Sequence, residues 1–330
     1  MFANHYQVIE PLSRGGMGVV YRVFDTRMKR EVAIKRLLPL RETRLNEKAP
    51  ASLVQEASAL AKFQHPNIVT IHSFEEDEEG PYVVMEMIEG ACLQSVIEEG
   101  AVAVEDFEEI AFQLLDALVA AQDLKVLHRD IKPSNIMVRW LPSGRTQFKI
   151  LDFGLSKFSL CPQKQTVDCK GHFLGSVDYL APEQLEQKEL DQRVDLYSLG
   201  CVLYFALTQR PPFAGGSLSS TIINLKGNLV TDIRDLRPDL PEAVAAWLMN
   251  MIKNRRARRP ADSRSALKAF ENALTPEEEK IALPSHSISG SSDHNKLEIE
   301  NEAHYDRPDH SADSPATEPV AGLVETKSNG

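Results

Sequence analysis

Apolar and polar residues alternate in some stretches of this chain and recur with a helical period in others. The segment Val32–Lys35 alternates as β-strands do, and Tyr82–Gly90 is rich in β-forming residues and ends in glycine. The alanine-rich stretch Ser52–Ala61 and the longer stretch Asp106–Ala121 instead place apolar residues on one face of a helix. The pattern therefore predicts strands around residues 32–35 and 82–90 and helices around residues 52–61 and 106–121.

Two short polar motifs lie between these regions and the C-terminal half. His128–Asn135 reads His-Arg-Asp-Ile-Lys-Pro-Ser-Asn, and Asp-Phe-Gly follows at residues 152–154. They resemble the catalytic core of eukaryotic-type (Hanks-type) serine/threonine protein kinases, in bacterial style. The resemblance implies that Asp130 accepts the proton of the substrate hydroxyl and that Lys132 steadies the phosphoryl group in transfer. Because Mg²⁺ prefers hard oxygen ligands, it also implies two metal ligands, Asn135 and Asp152.

The residues that match ATP-binding positions lie upstream, in the family's order. Leu12–Val20 resembles the glycine-rich loop, with Ser13 in place of the first glycine. Lys35 matches the phosphate-pairing lysine, Glu56 is the candidate for its helix partner, and Met85 matches the gatekeeper. The resemblance implies that the backbones of two hinge residues meet adenine, that three apolar residues sandwich it, and that the others surround the phosphates. In chain order, the implied nucleotide-binding residues are Leu12, Ser13, Gly15, Gly16, Gly18, Val20, Ala33, Lys35, Glu56, Glu86, Ile88 and Met137.

The activation segment of the family matches residues 152–183, which end in Ala-Pro-Glu. Lys132 is typical of serine/threonine rather than tyrosine kinases, so the resemblance implies protein substrates with serine or threonine acceptors. Arg129 offers a guanidinium that would pair with a phosphate on this segment. Thr166 is the first choice of phosphosite and Ser159 the second, and a polar loop that is never phosphorylated is the alternative.

Further matches predict internal contacts of the second half. Asp195 matches a helix aspartate that braces the catalytic loop, and we expect it to be buried and hydrogen-bonded to backbone N–H groups. Arg259 is placed to pair with Glu183. His128 and Phe153 would form part of an internal spine together with Leu60.

Chain length and charge divide the sequence into two regions. The resemblance implies an α+β bilobal protein kinase fold over residues 1–274, with a small β-rich N-lobe (about 1–87) and a larger helical C-lobe (about 88–274). Residues 275–330 hold twelve acidic residues and four Lys or Arg, a net of −8 out of −11 for the chain. With few large apolar residues, this region is predicted to be a disordered acidic tail that binds an unidentified partner.

Composition bears on location and on partners. Four cysteines without a paired pattern, no signal peptide and no apolar stretch of membrane-spanning length favour a cytoplasmic protein. Nucleic acid is not an expected partner, because the chain is acidic overall and the basic run Arg255–Arg259 is brief. Zinc binding by Cys161, Cys169 and His172 is disfavoured, since no fourth ligand is visible.

Two other functions stay open at this stage. A pseudokinase that binds nucleotide and partners without turnover would fit Ser13 and Cys92, which depart from the family pattern. The intact set Lys35, Asp130, Asn135 and Asp152 argues against it. A small-molecule kinase would share the ATP-binding logic, but the Ala-Pro-Glu segment favours a protein substrate.

Overall fold

The computed structural model describes residues 2–15, 18–37, 64–153 and 177–275, all of which belong to one compact unit, Met1–Ala282. Several predicted features lie outside these ranges. They are the helix at residues 52–61 with Glu56 and Leu60, the residues Gly16, Gly154, Ser159, Cys161, Thr166, Cys169 and His172, and the acidic segment beyond Thr275.

The first part of the chain forms a five-stranded antiparallel sheet in the order β1-β2-β3-β5-β4. The predicted strand at residues 32–35 lies within it and is confirmed, whereas of the strand predicted at residues 82–90 only the part up to Glu86 is strand, because the chain leaves the sheet there toward the second part. Two apolar clusters pack on opposite faces of the sheet, because alternate residues of a strand point in opposite directions. The strands are β1 (Tyr6–Gly15), β2 (Gly18–Asp25), β3 (Arg30–Leu37), β4 (Ile71–Asp77) and β5 (Gly80–Glu86).

The alternation of side chains along β3 decides which of them face the cleft between this sheet and the helical second part of the chain. Val32 and Ile34 pack into the cluster on the outer face, which includes Phe2 and Tyr82. Ala33 packs into the other cluster, on the cleft side. Lys35, two residues after Ala33, shares its face.

The second part is helical and also carries a small three-stranded sheet in the order β6-β7-β8. The predicted helix at residues 106–121 is confirmed, since α2 covers it and extends two residues further at each end. A β-rich first part and a helical second part confirm the predicted α+β bilobal fold. The strands are β6 (Ala91–Cys92), β7 (Ile136–Trp140) and β8 (Thr146–Ile150), and the helices are α1 (Leu93–Glu99), α2 (Val104–Asp123), α3 (Pro182–Leu185), α4 (Arg193–Thr208), α5 (Leu218–Gly227), α6 (Ile233–Leu236), α7 (Glu242–Met251) and α8 (Ser263–Leu274).

Helix α4 is the centre of the second part. Every residue from Val194 to Leu207 is buried, as expected of a helix that is surrounded by protein on all sides. The α7 end packs so closely on it that a Cβ at Gly200 would lie 2.9 Å from Met251 Cβ and 2.8 Å from Ile252 Cγ2. This close packing makes α4 a rigid base for the polar residue it carries, Asp195. Within the described ranges, no helix combines the length and the apolar character needed to cross a bilayer.

Candidate active site

Asp195 fixes the backbone at the start of the catalytic segment. Its carboxylate accepts hydrogen bonds from His128 N (2.8 Å) and Arg129 N (2.7 Å), one on each oxygen. The residue is buried, as predicted, and burial raises the pKa of its carboxyl while the two N–H groups oppose that shift. Arg129 adopts a left-handed backbone with φ of 68°, a conformation that the bond to Asp195 supports.

His128 ties the catalytic segment to the strand that precedes Asp152. Its Nδ1 accepts a hydrogen bond from Asp130 N (3.1 Å), and its Nε2 lies 2.7 Å from Leu151 O. A neutral imidazole with its proton on Nε2 satisfies both contacts. The ring also packs edge-on against Phe153 at 5.0 Å between centroids, which confirms the predicted contact of these two residues.

Asp130 lies at the centre of a small polar network. Its Oδ2 accepts from Lys132 Nζ at 2.7 Å and from Asn135 Nδ2 at 3.1 Å. Within the described part of the chain, Oδ1 accepts no hydrogen bond. Among these residues, the network therefore fixes the carboxylate through one oxygen and leaves the other available to a proton donor.

Asn135 and Asp152, the two predicted metal ligands, carry oxygen atoms of the kind that Mg²⁺ binds. The amide nitrogen of Asn135 also donates to Asp130 O at 2.8 Å, which directs its Oδ1 away from that loop. Leu151 N donates to Asn135 O (2.8 Å), so the residue before Asp152 is attached to Asn135. One amide oxygen and one carboxylate on neighbouring segments fit a Mg²⁺ ion.

Lys35 reaches the same place from the sheet. In register, it lies between Val20 of β2 and Val83 of β5. Its Nζ forms an ion pair with Asp152 Oδ2. The β3 lysine and the Asp152 carboxylate, 117 positions apart in sequence, are thus brought together. Glu56, the predicted partner of Lys35, lies outside the described residues.

The apolar residues predicted to sandwich adenine share one cluster. Ala33, Met85 and Ile88 are buried in it, and Val20 and Met137 pack against it, so residues of the sheet and of β7 meet there. Cys92 pairs with Met137 between β6 and β7, beside this cluster.

The glycine-rich segment forms the β1–β2 hairpin. Gly15 pairs with Gly18, and Ser13 pairs with Val20. Gly18 has φ of 149°, and a Cβ there would lie 2.0 Å from the carbonyl oxygen of Arg36 on β3, so only glycine fits. Leu12 and Ser13 are exposed on β1.

Glu86 has a role in the structure that the sequence analysis missed. Its Oε1 accepts from Thr70 N and from Lys149 Nζ, both at 2.7 Å, so the hinge strand is joined to β8. Burial alone raises the pKa of Glu86, but the bonds from Lys149 and Thr70 outweigh burial and lower it. The sequence signal for this contact is a lysine, Lys149, within the otherwise apolar run Phe148–Leu151. The backbone N–H of Glu86 bonds Thr70 O (2.9 Å), so this group is not available to adenine.

The predicted pair of Glu183 and Arg259 is confirmed. The guanidinium binds both carboxylate oxygens, at 2.6 and 2.9 Å, and both side chains are buried. The neighbouring Gln184 donates from Nε2 to Arg129 O (2.9 Å), a contact that sequence reasoning missed. Helix α3 therefore connects the buried ion pair to the catalytic segment.

Nearly all of the folded part of the chain matches a known protein family. The family model described as "Protein kinase domain" matches residues 6–273. The probable serine/threonine-protein kinase PknB of Bifidobacterium longum is 31% identical over 98% of this chain and 47% of its own length. The serine/threonine-protein kinase PknB of Mycolicibacterium smegmatis is 31% identical over 84% of this chain and 45% of its own length. The chain thus spans less than half the length of these relatives.

Solved structures resemble the fold. A crystal structure of Rad53 residues 1–466 in complex with AMP-PNP aligns with a TM-score of 0.66 and 25% identity, over 81% of this chain and 65% of that one. The kinase domain of Mycobacterium tuberculosis PknI aligns with a TM-score of 0.61 and 21% identity, over 83% of this chain and 98% of that one. The predicted cytoplasmic location and the predicted lack of a nucleic-acid partner stay predictions.

Proposed function

This chain belongs to the protein kinase family, and we propose that it transfers the γ-phosphoryl group of ATP to serine or threonine hydroxyls of protein substrates. The observation that carries the proposal is the convergence of Lys35, Asp130, Asn135 and Asp152 on one cleft from separate segments of the chain. Names of the relatives support the acceptor class, since they are serine/threonine-protein kinases.

In this proposal, each polar group of the cleft has one task. Lys35 pairs with the phosphates of ATP, and the cluster of Val20, Ala33 and Met137 holds the adenine ring. Asn135 and Asp152 would hold Mg²⁺, which would supply positive charge to the phosphates. The similar structure of Rad53 residues 1–466 is a complex with AMP-PNP, which supports ATP as the nucleotide.

Asp130 then accepts the proton of the acceptor hydroxyl through Oδ1. Its Oδ2 is held by Lys132 and Asn135, so the free oxygen has a fixed position, which favours proton transfer. Lys132 lies beside it and supplies positive charge to the phosphoryl group in transfer.

Phosphorylation of the segment 154–176 by the protein itself is part of the proposal, with Thr166 as the first site and Ser159 as the second. The supporting observation is Arg129, whose buried Nε has no hydrogen-bond partner among the described residues. A buried guanidinium nitrogen without an acceptor favours an anion such as a phosphate.

The test is incubation of the purified chain with Mg²⁺ and γ-labelled ATP, beside Asp130→Asn and the exposed control Asp106→Asn. We expect labelled serine or threonine in the wild type and the control, and a loss of roughly 10²–10⁴-fold in Asp130→Asn with nucleotide binding retained. Mass spectrometry would locate the phosphate. Nucleotide binding without transfer to the chain or to casein would instead identify a pseudokinase.

A further inference from the structure

A groove is lined in part by α3, the helix that also contacts the catalytic segment through Gln184. It has a volume of about 750 Å³ and is bounded, among the described residues, by α3, the end of α5 and the turn that follows α7. Six cations line it: Lys188, Lys226, Lys253, Arg255, Arg256 and Arg258. Residues 1–274 carry a net negative charge, so this concentration of positive charge is local.

The carboxylates of the groove do not neutralise it. Glu183 is buried against Arg259, and Glu186 pairs with Lys188 at 2.6 Å. Arg256 lies 3.5 Å from Asp191. The remaining four cations form no ion pair or side-chain hydrogen bond with any described residue; they are Lys226, Lys253, Arg255 and Arg258. Such a surface attracts an anionic partner.

Two contacts connect the groove to the proposed site of phosphoryl transfer. Glu183 of α3 and Glu186, just after its end, line the groove, while Gln184, between them, donates to Arg129 O next to Asp130. The bond of Arg259 to Glu183 fixes α3 against the turn that carries Arg255 and Arg258, so the wall of the groove is rigid.

We propose that this groove binds an acidic segment of the protein substrate while its serine or threonine lies at Asp130. This inference rests on the proposed function and names a substrate class for it. Because a helix is about 10 Å thick and extended chain advances about 3.3 Å per residue, the acidic segment begins about three or more residues from the acceptor.

Direct binding tests the groove without any need for phosphoryl transfer. The probe is a fluorescein-labelled peptide of alternating Asp and Glu, measured by anisotropy with the full chain. The groove variant combines Lys226→Glu, Arg255→Glu and Arg258→Glu. Its matched control makes the same charge change at exposed cations elsewhere, Arg27→Glu, Arg145→Glu and Lys268→Glu.

We expect the groove variant to weaken probe binding by about tenfold or more and the control by less than about twofold, because each reversal replaces an attraction by a repulsion. The exchange Lys226→Arg, Arg255→Lys and Arg258→Lys should retain binding, and raised salt should weaken it. Thermal unfolding of each variant verifies that it is folded. Equal losses in the groove and control variants, or no loss in either, would overturn the proposal.

A second experiment identifies which acidic segment binds in the groove. If the groove serves substrates, the unlabelled acidic peptide inhibits label transfer to casein by the wild type, and the groove variant needs about tenfold more peptide for the same inhibition. A synthetic peptide of residues 276–330 that displaces the probe at lower concentration than the acidic peptide would assign the groove to that segment and overturn the substrate proposal. Specific probe binding without any transfer to casein would contradict the proposed function and leave the groove's preference for acidic peptides established.

Discussion

The ion pair of Glu183 on α3 and the ion pairs of the cleft differ in how completely their hydrogen-bonding groups are used. In the pair of Arg259 and Glu183, the side chains are 0% and 6% exposed. All five N–H donors of Arg259 have acceptors, since Nε binds Lys253 O and the terminal nitrogens bind Glu183, Arg193 O and Asn254 O. The guanidinium also stacks over Tyr197. This pair has no capacity left for a ligand.

The ion pairs of the cleft are more exposed to solvent and use fewer of their hydrogen-bonding groups. Asp130 and Lys132 are 24% and 22% exposed, and Asp152, the partner of Lys35, is 20% exposed. Each lysine has one hydrogen-bond partner among the described residues although it carries three N–H donors. Complete hydrogen bonding stabilises the fold, whereas incomplete hydrogen bonding leaves donors and acceptors for substrates. The two kinds of pair should therefore respond differently to mutation.

Glu183→Gln should have the largest effect on stability. It leaves the buried charge of Arg259 without a counter-charge, which costs about 3–5 kcal/mol of unfolding free energy. Urea denaturation measures this loss. The matched control is Glu186→Gln at the end of the same short helix, which removes an exposed pair with Lys188 and should cost less than about 1 kcal/mol. Similar losses in both variants would mean that burial does not distinguish these pairs.

Lys35→Met should have the opposite pattern of effects: a large loss of activity and a small change in stability. Transfer of label from ATP should fall roughly 10²–10³-fold, because a positive charge on the phosphates is lost. The unfolding free energy should change by less than about 1 kcal/mol, since removing a desolvated charge offsets the lost pair.

The neighbouring residue provides the control for Lys35→Met. Arg36 points to the other face of β3, where it binds Asp77 and stacks on Phe2 and Tyr82. Arg36→Met should cost about 1–2 kcal/mol of stability while folded molecules retain transfer. If Lys35→Met were as destabilising as Arg36→Met, the pair of Lys35 and Asp152 would be structural rather than functional.

Lys149→Met tests an intermediate case. It removes the partner of Glu86, whose side chain is 24% exposed and keeps its bond from Thr70 N, so we expect a loss of about 1 kcal/mol, less than for a fully buried pair. The pKa of Glu86 lies below its ordinary value of 4.5, so the ionised form stabilises the folded state. That contribution is complete above pH 4.5 and is lost as the pH falls below it.

Urea denaturation between neutral and acidic pH measures both effects in Lys149→Met. The wild type should lose stability on acidification more steeply than the variant. The double variant Lys149→Met with Glu86→Leu should recover part of the loss, because no unpaired charge remains. Parallel pH profiles of wild type and Lys149→Met would contradict the assigned pair.

The sequence predicted the contacts that follow from motifs and not those that follow from packing. Asp195, Glu183 and Arg259 were placed correctly, because the motifs fix their positions in the chain. The bonds of Lys149 to Glu86 and of Gln184 to Arg129 were missed, because each joins residues far apart in sequence whose contact depends on how strands and helices pack. The groove was missed for the same reason. The sequence shows the basic run Arg255–Arg259 but not the residues of α3 and α5 that pack beside it and complete the groove.

Asp262→Ala should have the smallest effect, and it isolates the contribution of burial. Asp262 caps α8, where Oδ1 accepts from Ser265 N (2.7 Å) and from Ser265 Oγ (2.6 Å), so its acceptor oxygen is well satisfied but near water. Loss of the cap should cost about 1 kcal/mol of unfolding free energy. Asp262→Asn should retain most of that stability, because asparagine caps helices as well as aspartate does.

The pH dependence separates charge from capping at this position. The hydrogen bonds from Ser265, first its side chain and then its backbone N–H, lower the pKa of Asp262 below its ordinary value of 3.8. The charged form therefore contributes stability that is complete above pH 3.8 and is lost as the pH falls through the lowered pKa. Asp262→Asn should lack this acid-side loss in urea denaturation. If Asp262→Ala lowered the unfolding free energy as much as Glu183→Gln, hydrogen bonding alone would account for both losses. Burial would then not explain the stability that the pair of Glu183 and Arg259 contributes.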